Sequence, residues 1–324
     1  MADVSISPPD PDRFRGENGF RDANRGQLLL LAGLVMAVSL VALGVLLNAT
    51  IYSENVATRG IESADGEALE VRATMVEGTG ELIDATNRNA TEDYAETEAA
   101  VEDGIAELDA RVASGYARGG GVASVALVED SIREGQYLSG PVDSSTVVTD
   151  VDRTRGFVVD VDPEDLSVAN TSTASDEAFH VVLNRSATGD TDEVYVYEDD
   201  DEDEYVVATG EDGAEPTVRC QRSSIDGDRL VLDLTDGRFD GDPCPGLWPT
   251  ERLDPDESYA IEFANADGVD AEVTATVRST TDPAGGAALE STPAVYEAAI
   301  DVSYRTAELR FETRVRVAPG ELNA

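Results

Sequence analysis

The chain has 324 residues, with 67 acidic side chains, 23 basic ones, one His and a formal net charge of −44. Every basic residue is Arg, which excludes a P-loop, whose Lys reaches the phosphates, and a Schiff-base enzyme, whose nucleophile is a Lys amine. The charge excludes a nucleic-acid binder, and the single His180 excludes a multi-His zinc site.

Acid in such excess without Lys is the composition of a protein bathed in concentrated salt, where a Debye length of about 3 Å at 1 M screens the repulsion among carboxylates. It is read as an environmental signal. Hydrophobic residues make up 41% of the chain, enough to build a core, so disorder is expected only at the ends.

Residues 1–26 form a short leader containing Arg13, Arg15, Arg21 and Arg25. From Leu28 to Leu47 follows an uncharged run, LLLLAGLVMAVSLVALGVLL, whose only polar side chain is Ser39. At about 1.5 Å rise per residue such a helix crosses a hydrocarbon core of about 30 Å and satisfies its own backbone. A transmembrane helix is expected over residues 27–48. It is too long for a cleavable secretory signal, whose apolar region runs to about 15 residues. The next basic residue is Arg59, so the positive-inside rule keeps the leader in the cytoplasm and sends the rest of the chain outside. Export suits the two Cys, Cys220 and Cys244, as one disulfide. It also suits four glycosylation sequons, at Asn48, Asn89, Asn170 and Asn184.

The junction Arg25-Gly26-Gln27, followed at once by the apolar run, resembles the class III, prepilin-type signal of archaea. Over roughly residues 22 to 60 the chain looks like the N-terminus of haloarchaeal pilin-like membrane proteins, most of them of unknown function. The resemblance implies cutting after Gly26 by a prepilin peptidase, with Gln27 as the new N-terminus. It also implies other pilin-like subunits as partners, beside membrane lipid. Assembling pilins of this kind commonly carry Glu at the fifth mature position, where this chain has Leu31. That departure fits a minor pilin, or an anchor that is never cut.

Beyond the membrane, residues 49–114 are expected as an extracellular helical stalk. The chain lacks Pro from Thr50 to Val76, and Gly78-Thr79-Gly80 is expected to break the helix. A second helix is expected from Glu81 to Ala113, where Ile83, Ala90, Tyr94, Val101, Ile105, Leu108 and Val112 repeat by threes, fours and sevens. Gly115 and Gly119 to Gly121 end it.

Residues 115–324 read as an antiparallel β head, a sheet or sandwich, giving a pilin-like α+β protein overall. Val122 to Val128 is ambiguous between helix and strand. Strands are expected at Gly156 to Val161, Glu177 to Leu183, Val194 to Tyr197, Tyr205 to Ala208 and Thr217 to Gln221. Others follow at Arg229 to Leu234, Ala260 to Phe263 and Ala271 to Arg278. The clearest pair is at the C-terminus, where Tyr296 to Tyr304 and Leu309 to Val317 both alternate, with Arg305 to Glu308 as the turn. The other face of the last strand carries Arg310, Arg314 and Arg316, which are expected to pair with acids on neighbouring strands. Asp226-Gly227 is expected to turn a hairpin between the Cys220 strand and the next.

Most candidate chemistry fails. The run EDDDEDE at 198–204 lacks the spaced ligands and Gly of a calcium loop and reads as a solvated hairpin tip. Asp226, Asp228, Asp236, Asp240 and Asp242 lie around the disulfide loop and make a better calcium candidate, because loops can converge their ligands, but the site is not favoured. His180 alternates with Phe179 and Val181 and is expected to face outward, and no G-x-S-x-G elbow accompanies it. The only Trp, Trp248, follows the Pro-rich run Gly241 to Leu247; it covers the disulfide or, on the alternative reading, binds a partner or sugar. No cofactor or metal is expected. The sequence thus reads as a non-enzymatic, single-pass cell-surface protein. The alternatives are an uncut envelope protein acting as a binding or scaffolding module and, less favoured, an exported hydrolase.

Overall fold

The computed structural model describes residues 36, 66–90, 92–199, 204–225, 227–249, 253, 256–279, 284–285 and 289–321. The chain divides into two compact units, Met1–Gly66 and Glu67–Ala324. In the first, only Met36 and Gly66 are described, so the Leu28–Leu47 segment and the Arg25-Gly26-Gln27 junction lie outside the described residues. Among the described residues no helix is long and apolar enough to cross a membrane.

The second unit begins with two helices, α1 (66–88) and α2 (Tyr94–Ala117). Along α1 the buried positions Ala68, Val71, Met75, Thr79, Ile83 and Asn87 recur at three- and four-residue steps, the signature of one covered face. Helix α2 starts at Asp93, whose carboxylate accepts from Ala95 N (2.9 Å), and buries Thr97, Val101 and Ile105 at four-residue steps. Gly119 and Gly120 turn the chain out of it, Gly120 with φ +83°.

The helix does not break at Gly78-Thr79-Gly80, as the sequence suggested; the turn falls at Asn89. The glycines serve close approach instead. A Cβ on Gly78 would lie 3.5 Å from Leu108, one on Gly104 only 2.5 Å from Leu82, and one on Gly80 3.3 Å from Pro319. The pairs 78 with 108 and 82 with 104 run in opposite senses, so α1 and α2 form an antiparallel hairpin that accommodates two leucines through missing side chains.

The strands are β1 (Val122–Leu127), β2 (Arg133–Pro141), β3 (Val147–Val161), β4 (Val168–Ala169), β5 (Phe179–Arg185) and β6 (Thr191–Asp199). Next come β7 (Tyr205–Glu211), β8 (Thr217–Arg222), β9 (Leu230–Asp233), β10 (Arg238–Phe239) and β11 (Asp242–Pro243). The last are β12 (Tyr259–Ala264), β13 (Ala271–Ser279), β14 (Ala284–Gly285), β15 (Glu290–Arg305) and β16 (Arg310–Val317). The fold is mainly antiparallel sheet, in the order β1-β15-β2-β13-β3-β12-β5-β6-β7-β8, with β16 on β15 and β9 on β3. The parallel pair is β4 with β6.

One long strand, β15, connects two cores. The second half of β15 pairs with β1 and β16, and Val125, Val302, Ile300 and Val317 pack there with Met75, Ile83, Val101 and Ile105 of the helices. From Ala68 onward the segment expected as a helical stalk shares a core with the sheet. The first half of β15 pairs with β2, leading into the larger core, where Phe157, Val159, Phe179, Val181, Val207, Leu232, Ile261 and Phe263 meet. The expected pairing of β16 arginines with acids on a neighbouring strand holds for Arg314 and Arg316, whereas Arg310 pairs with Glu312 on its own strand. Arg314 donates to both oxygens of Asp301 (2.8 and 2.9 Å), Arg316 Nε to Glu297 (2.6 Å) and Arg310 to Glu312 (2.7 Å).

Where the two cores meet lies Arg155, 1% exposed. Its Nε donates to Tyr296 O (2.7 Å), Nη2 to Val295 O (3.0 Å), and Nη1 to Asp84 Oδ1 (2.7 Å) and Pro319 O (2.8 Å). Asn87 adds a reciprocal pair with Val295, 2.9 Å each way. Replacing Arg155 with Met keeps much of the bulk but leaves the Tyr296 and Pro319 carbonyls and the Asp84 carboxylate without this donor, while Val295 O keeps only Asn87. The expected loss is about 3–5 kcal/mol of unfolding free energy, read from guanidinium titrations at constant high salt.

Candidate ligand groove

The larger sheet curls until its two open edges face each other. From β3, one path runs through β12, β5, β6 and β7 to β8, and the other through β9 and β10 to β11. The Cys220–Cys244 disulfide joins β8 to the residue following β11, with the two Cα atoms 5.9 Å apart. Arg222, at the end of β8, reinforces the seam by donating to Asp242 Oδ2 (2.6 Å) and to the carbonyls of Phe239 and Asp240 (3.3 Å each). Cys244 is fully buried and its N–H donates to Gly237 O at 2.6 Å. Gly237 has φ +62°, and a Cβ there would press on Cys244 O at 3.3 Å, so the turn into the disulfide needs glycine.

Closure creates a cavity of about 800 Å³ beside the disulfide. One wall is the start of β6 and the end of β7, with Asp192, Glu193, Thr209 and Glu211; the other is the loop carrying Pro243, Pro245 and Trp248. Glu215, Arg219 and Asp236 complete the lining. Gly210 keeps the β7 wall open, since a Cβ there would meet Tyr195 at 3.1 Å and Glu193 Oε2 at 3.3 Å. Glu193 is buried and accepts from Thr191 Oγ1 (2.8 Å) and Tyr195 OH (2.5 Å). Arg219 Nε donates to Thr209 Oγ1 (2.7 Å), and Asp236 accepts from Arg238 Nε (2.6 Å). Trp248 is half-buried, its ring edge-on to Phe157 (5.8 Å between centroids) and Tyr259 (6.4 Å). It thus closes the large core on one side and lines the cavity on the other. Just behind the loop, burial pushes the Asp233 carboxyl above its usual range, although Asp236 N and Thr235 Oγ1 donate to it.

The other expected site residues are scattered. The disulfide is formed. Asn48 lies outside the described residues. Asn89 is exposed at the turn ending α1, whereas Asn170 is half-buried, its Oδ1 accepting from Ser172 N (3.0 Å) and Ser172 Oγ (2.6 Å). Asn184 is half-buried on β5, with Nδ2 3.4 Å from Glu262. Of these three, Asn89 is the exposed one, although its Nδ2 donates to Ala85 O at 2.7 Å. The acidic run spans the β6–β7 hairpin, whose residues 200–203 are outside the described residues. Asp240 and Asp242 are paired with Arg222 and do not converge on a cation site.

Two expectations are corrected. The expected Asp226-Gly227 hairpin is not formed, because the strand before it, β8, pairs with β7 and the strand after it, β9, pairs with β3 and β10; Asp226 itself lies outside the described residues. His180 does not face outward. It is 7% exposed, its ring stacks on Tyr195 (4.5 Å between centroids) and Nδ1 lies 2.9 Å from Ala178 O. The segment holding Ala169, Ala174 and Ala178 covers the outer face of β5–β7 and encloses it. Nor does His180 line the cavity. The cavity itself was not legible, because its walls come from four separated stretches; its one sequence signal is Pro243-Cys244-Pro245-Gly246 followed by Trp248.

A family model described as a family of unknown function (DUF7261) matches residues 22–173. Over that stretch, from the leader junction through both helices to the residue before the Ala174–Glu177 turn, the chain is similar to that family. The chain matches no curated protein and no solved structure.

Two outcomes follow from this geometry. Replacing both cysteines by Ala removes the cross-link over a 24-residue separation and should cost about 3 kcal/mol, lowering Tm by roughly 10 °C in calorimetry. For His180, burial lowers the imidazole pKa, more than the Ala178 carbonyl and the Glu193 charge raise it. The unfolded chain therefore binds the proton more readily than the folded one. Its contribution is complete above the ordinary value of 6.5 and is lost as pH falls below it. Melting between pH 7.5 and 5.5 should show a falling Tm, and His180→Phe should flatten that fall.

Proposed function

We propose that the chain is a membrane-anchored cell-surface protein of a halophilic archaeon, pilin-like in its leader and anchor, with a β head that binds or scaffolds other molecules without catalysis. One observation carries the reading: twenty uncharged residues at Leu28–Leu47, with Arg clustered on their N-terminal side only. A formed disulfide supports exposure of the second unit to an oxidising compartment. Two helices laid on an antiparallel sheet support the pilin-like α+β reading, and the family match includes the junction, the apolar run and both helices together.

A binding role is favoured over hydrolysis of the Ser-His-Asp kind because the sole imidazole is enclosed against Tyr195 and Ala178, away from the cavity. Leu31, standing where assembling pilins of this kind carry Glu, favours a minor subunit over a bulk filament subunit.

The mature N-terminus tests the reading. Intact-mass and N-terminal peptide spectrometry of the protein from native membranes should find Gln27 first. A chain that keeps residues 1–26 in the membrane would instead be an uncut anchor, and recovery of the full-length product in the soluble fraction would defeat both forms.

A further inference from the structure

We propose that the cavity beside the Cys220–Cys244 disulfide binds a neutral oligosaccharide. The inference rests on the second unit alone and stands whether or not the leader is cut. The volume of about 800 Å³ lies within the range that seats small ligands. Its lining combines an indole and prolines, which offer flat apolar surface to the C–H face of a sugar ring, with carboxylates that accept hydroxyl hydrogens. Arg219, on the same lining, supplies donors to sugar oxygens.

Charge narrows the class. Five carboxylates line the cavity (Asp192, Glu193, Glu211, Glu215 and Asp236) against one guanidinium, which rejects phosphate, sulfated glycans and uronic acids. A cationic peptide is disfavoured for two reasons. Glu193 and Asp236 already take hydrogen bonds from Thr191, Tyr195 and Arg238. The salt implied by the composition screens exposed charge attraction beyond about 3 Å at 1 M. Stacking and neutral hydrogen bonds survive that salt. The walls are also held before any ligand arrives, by the disulfide, by Pro243 and Pro245, and by the Gly237 turn, so little ordering accompanies binding.

Because Trp248 is the only Trp in the chain, its fluorescence reports on this cavity without labelling. The full-length protein, in a detergent without sugar headgroups and in molar KCl, is titrated with neutral gluco-, manno-, galacto- and N-acetylglucosamine oligomers. At least one should give a saturable change in Trp248 emission and protect the indole from acrylamide quenching. The double variant Glu215→Gln/Arg219→Ala, both exposed rim positions, should weaken that ligand at least tenfold with Tm unchanged. If the variant does not fold, quenching protection in the wild-type protein decides alone. The proposal is overturned if no neutral oligomer shifts or protects Trp248, if the folded variant binds as tightly as wild type, or if an oligo-arginine peptide or a sulfated glycan alone gives the saturable response.

Discussion

The architecture depends on one buried guanidinium. Desolvating a charge costs several kcal/mol, and the cost is offset only when every donor finds a well-placed acceptor. Arg155 offsets that cost with four hydrogen bonds that join four parts of the chain: its own strand β3, Asp84 on α1, the Val295 and Tyr296 carbonyls on β15, and Pro319 in the C-terminal tail. It also lies over the Tyr296 ring, 5.6 Å from the centroid. The backbone around it is irregular in a matching way. The β15–β2 ladder shifts register between Val295 and Glu297, and the β13–β3 ladder between Thr274 and Thr276, opposite Arg155. The next residue, Gly156, has φ +57° and donates to Gly320 O at 3.2 Å. Interrupted ladders free backbone acceptors, and Arg155 and Asn87 satisfy them. The helical half, the sheet and the tail therefore lock at one point.

The same chemistry explains why a chain so rich in acid uses Arg alone as its base. Exposed ion pairs contribute little, and less still in salt, so pairing of surface charges is a weak reason to keep a cation. What the guanidiniums do here is bind backbone carbonyls at turns and seams. Arg222 reaches Phe239 and Asp240, Arg229 reaches Asp160 and Asp270, and Arg238 reaches Gly241. A planar fork makes several such bonds at once while also holding a carboxylate, as Arg222 does with Asp242 and Arg229 with Asp160. A compact ammonium has no comparable geometry. Where a guanidinium meets a surface carboxylate squarely, as Arg314 meets Asp301, it holds that carboxyl below its usual range.

Legibility in the sequence followed how many faces of an element are covered. Strand β16 and the C-terminal half of β15 are packed on one side, so their alternation was plain and the turn between them fell where expected. Strand β5 is covered on both sides, by the large core and by the Ala169–Ala178 segment, so alternation no longer marks a solvent face and His180 was placed outward. Strand β2 was missed because its sequence, REGQYLSGP, carries few apolar side chains. The reason is crowding: a Cβ on Gly135 would lie 2.8 Å from Val277 O and 3.0 Å from Tyr296 Cβ. Gly78 and Gly80 misled for a related reason, since glycine that permits close packing looks the same in a sequence as glycine that ends a helix. The cavity depended on which edges the sheet brings together, which no local pattern encodes.

Topology separates the helix-bearing half of the second unit from the half that carries the cavity. Strands β15 and β16, from the end of the chain, return to pair with β1 and β2 and complete the core shared with α1 and α2. Everything lining the cavity comes from residues 192–249, which enter and leave the sheet between β5 and β12. Because β12 pairs directly with β5 and with β3, the sheet is continuous beneath that excursion. The excursion is then fastened at its far edge by the disulfide, so its side chains contribute to the larger core without touching the Arg155 junction. A site placed on such an excursion answers to its own closure and packing, and its side chains are free to diverge while the helices and returning strands keep their geometry.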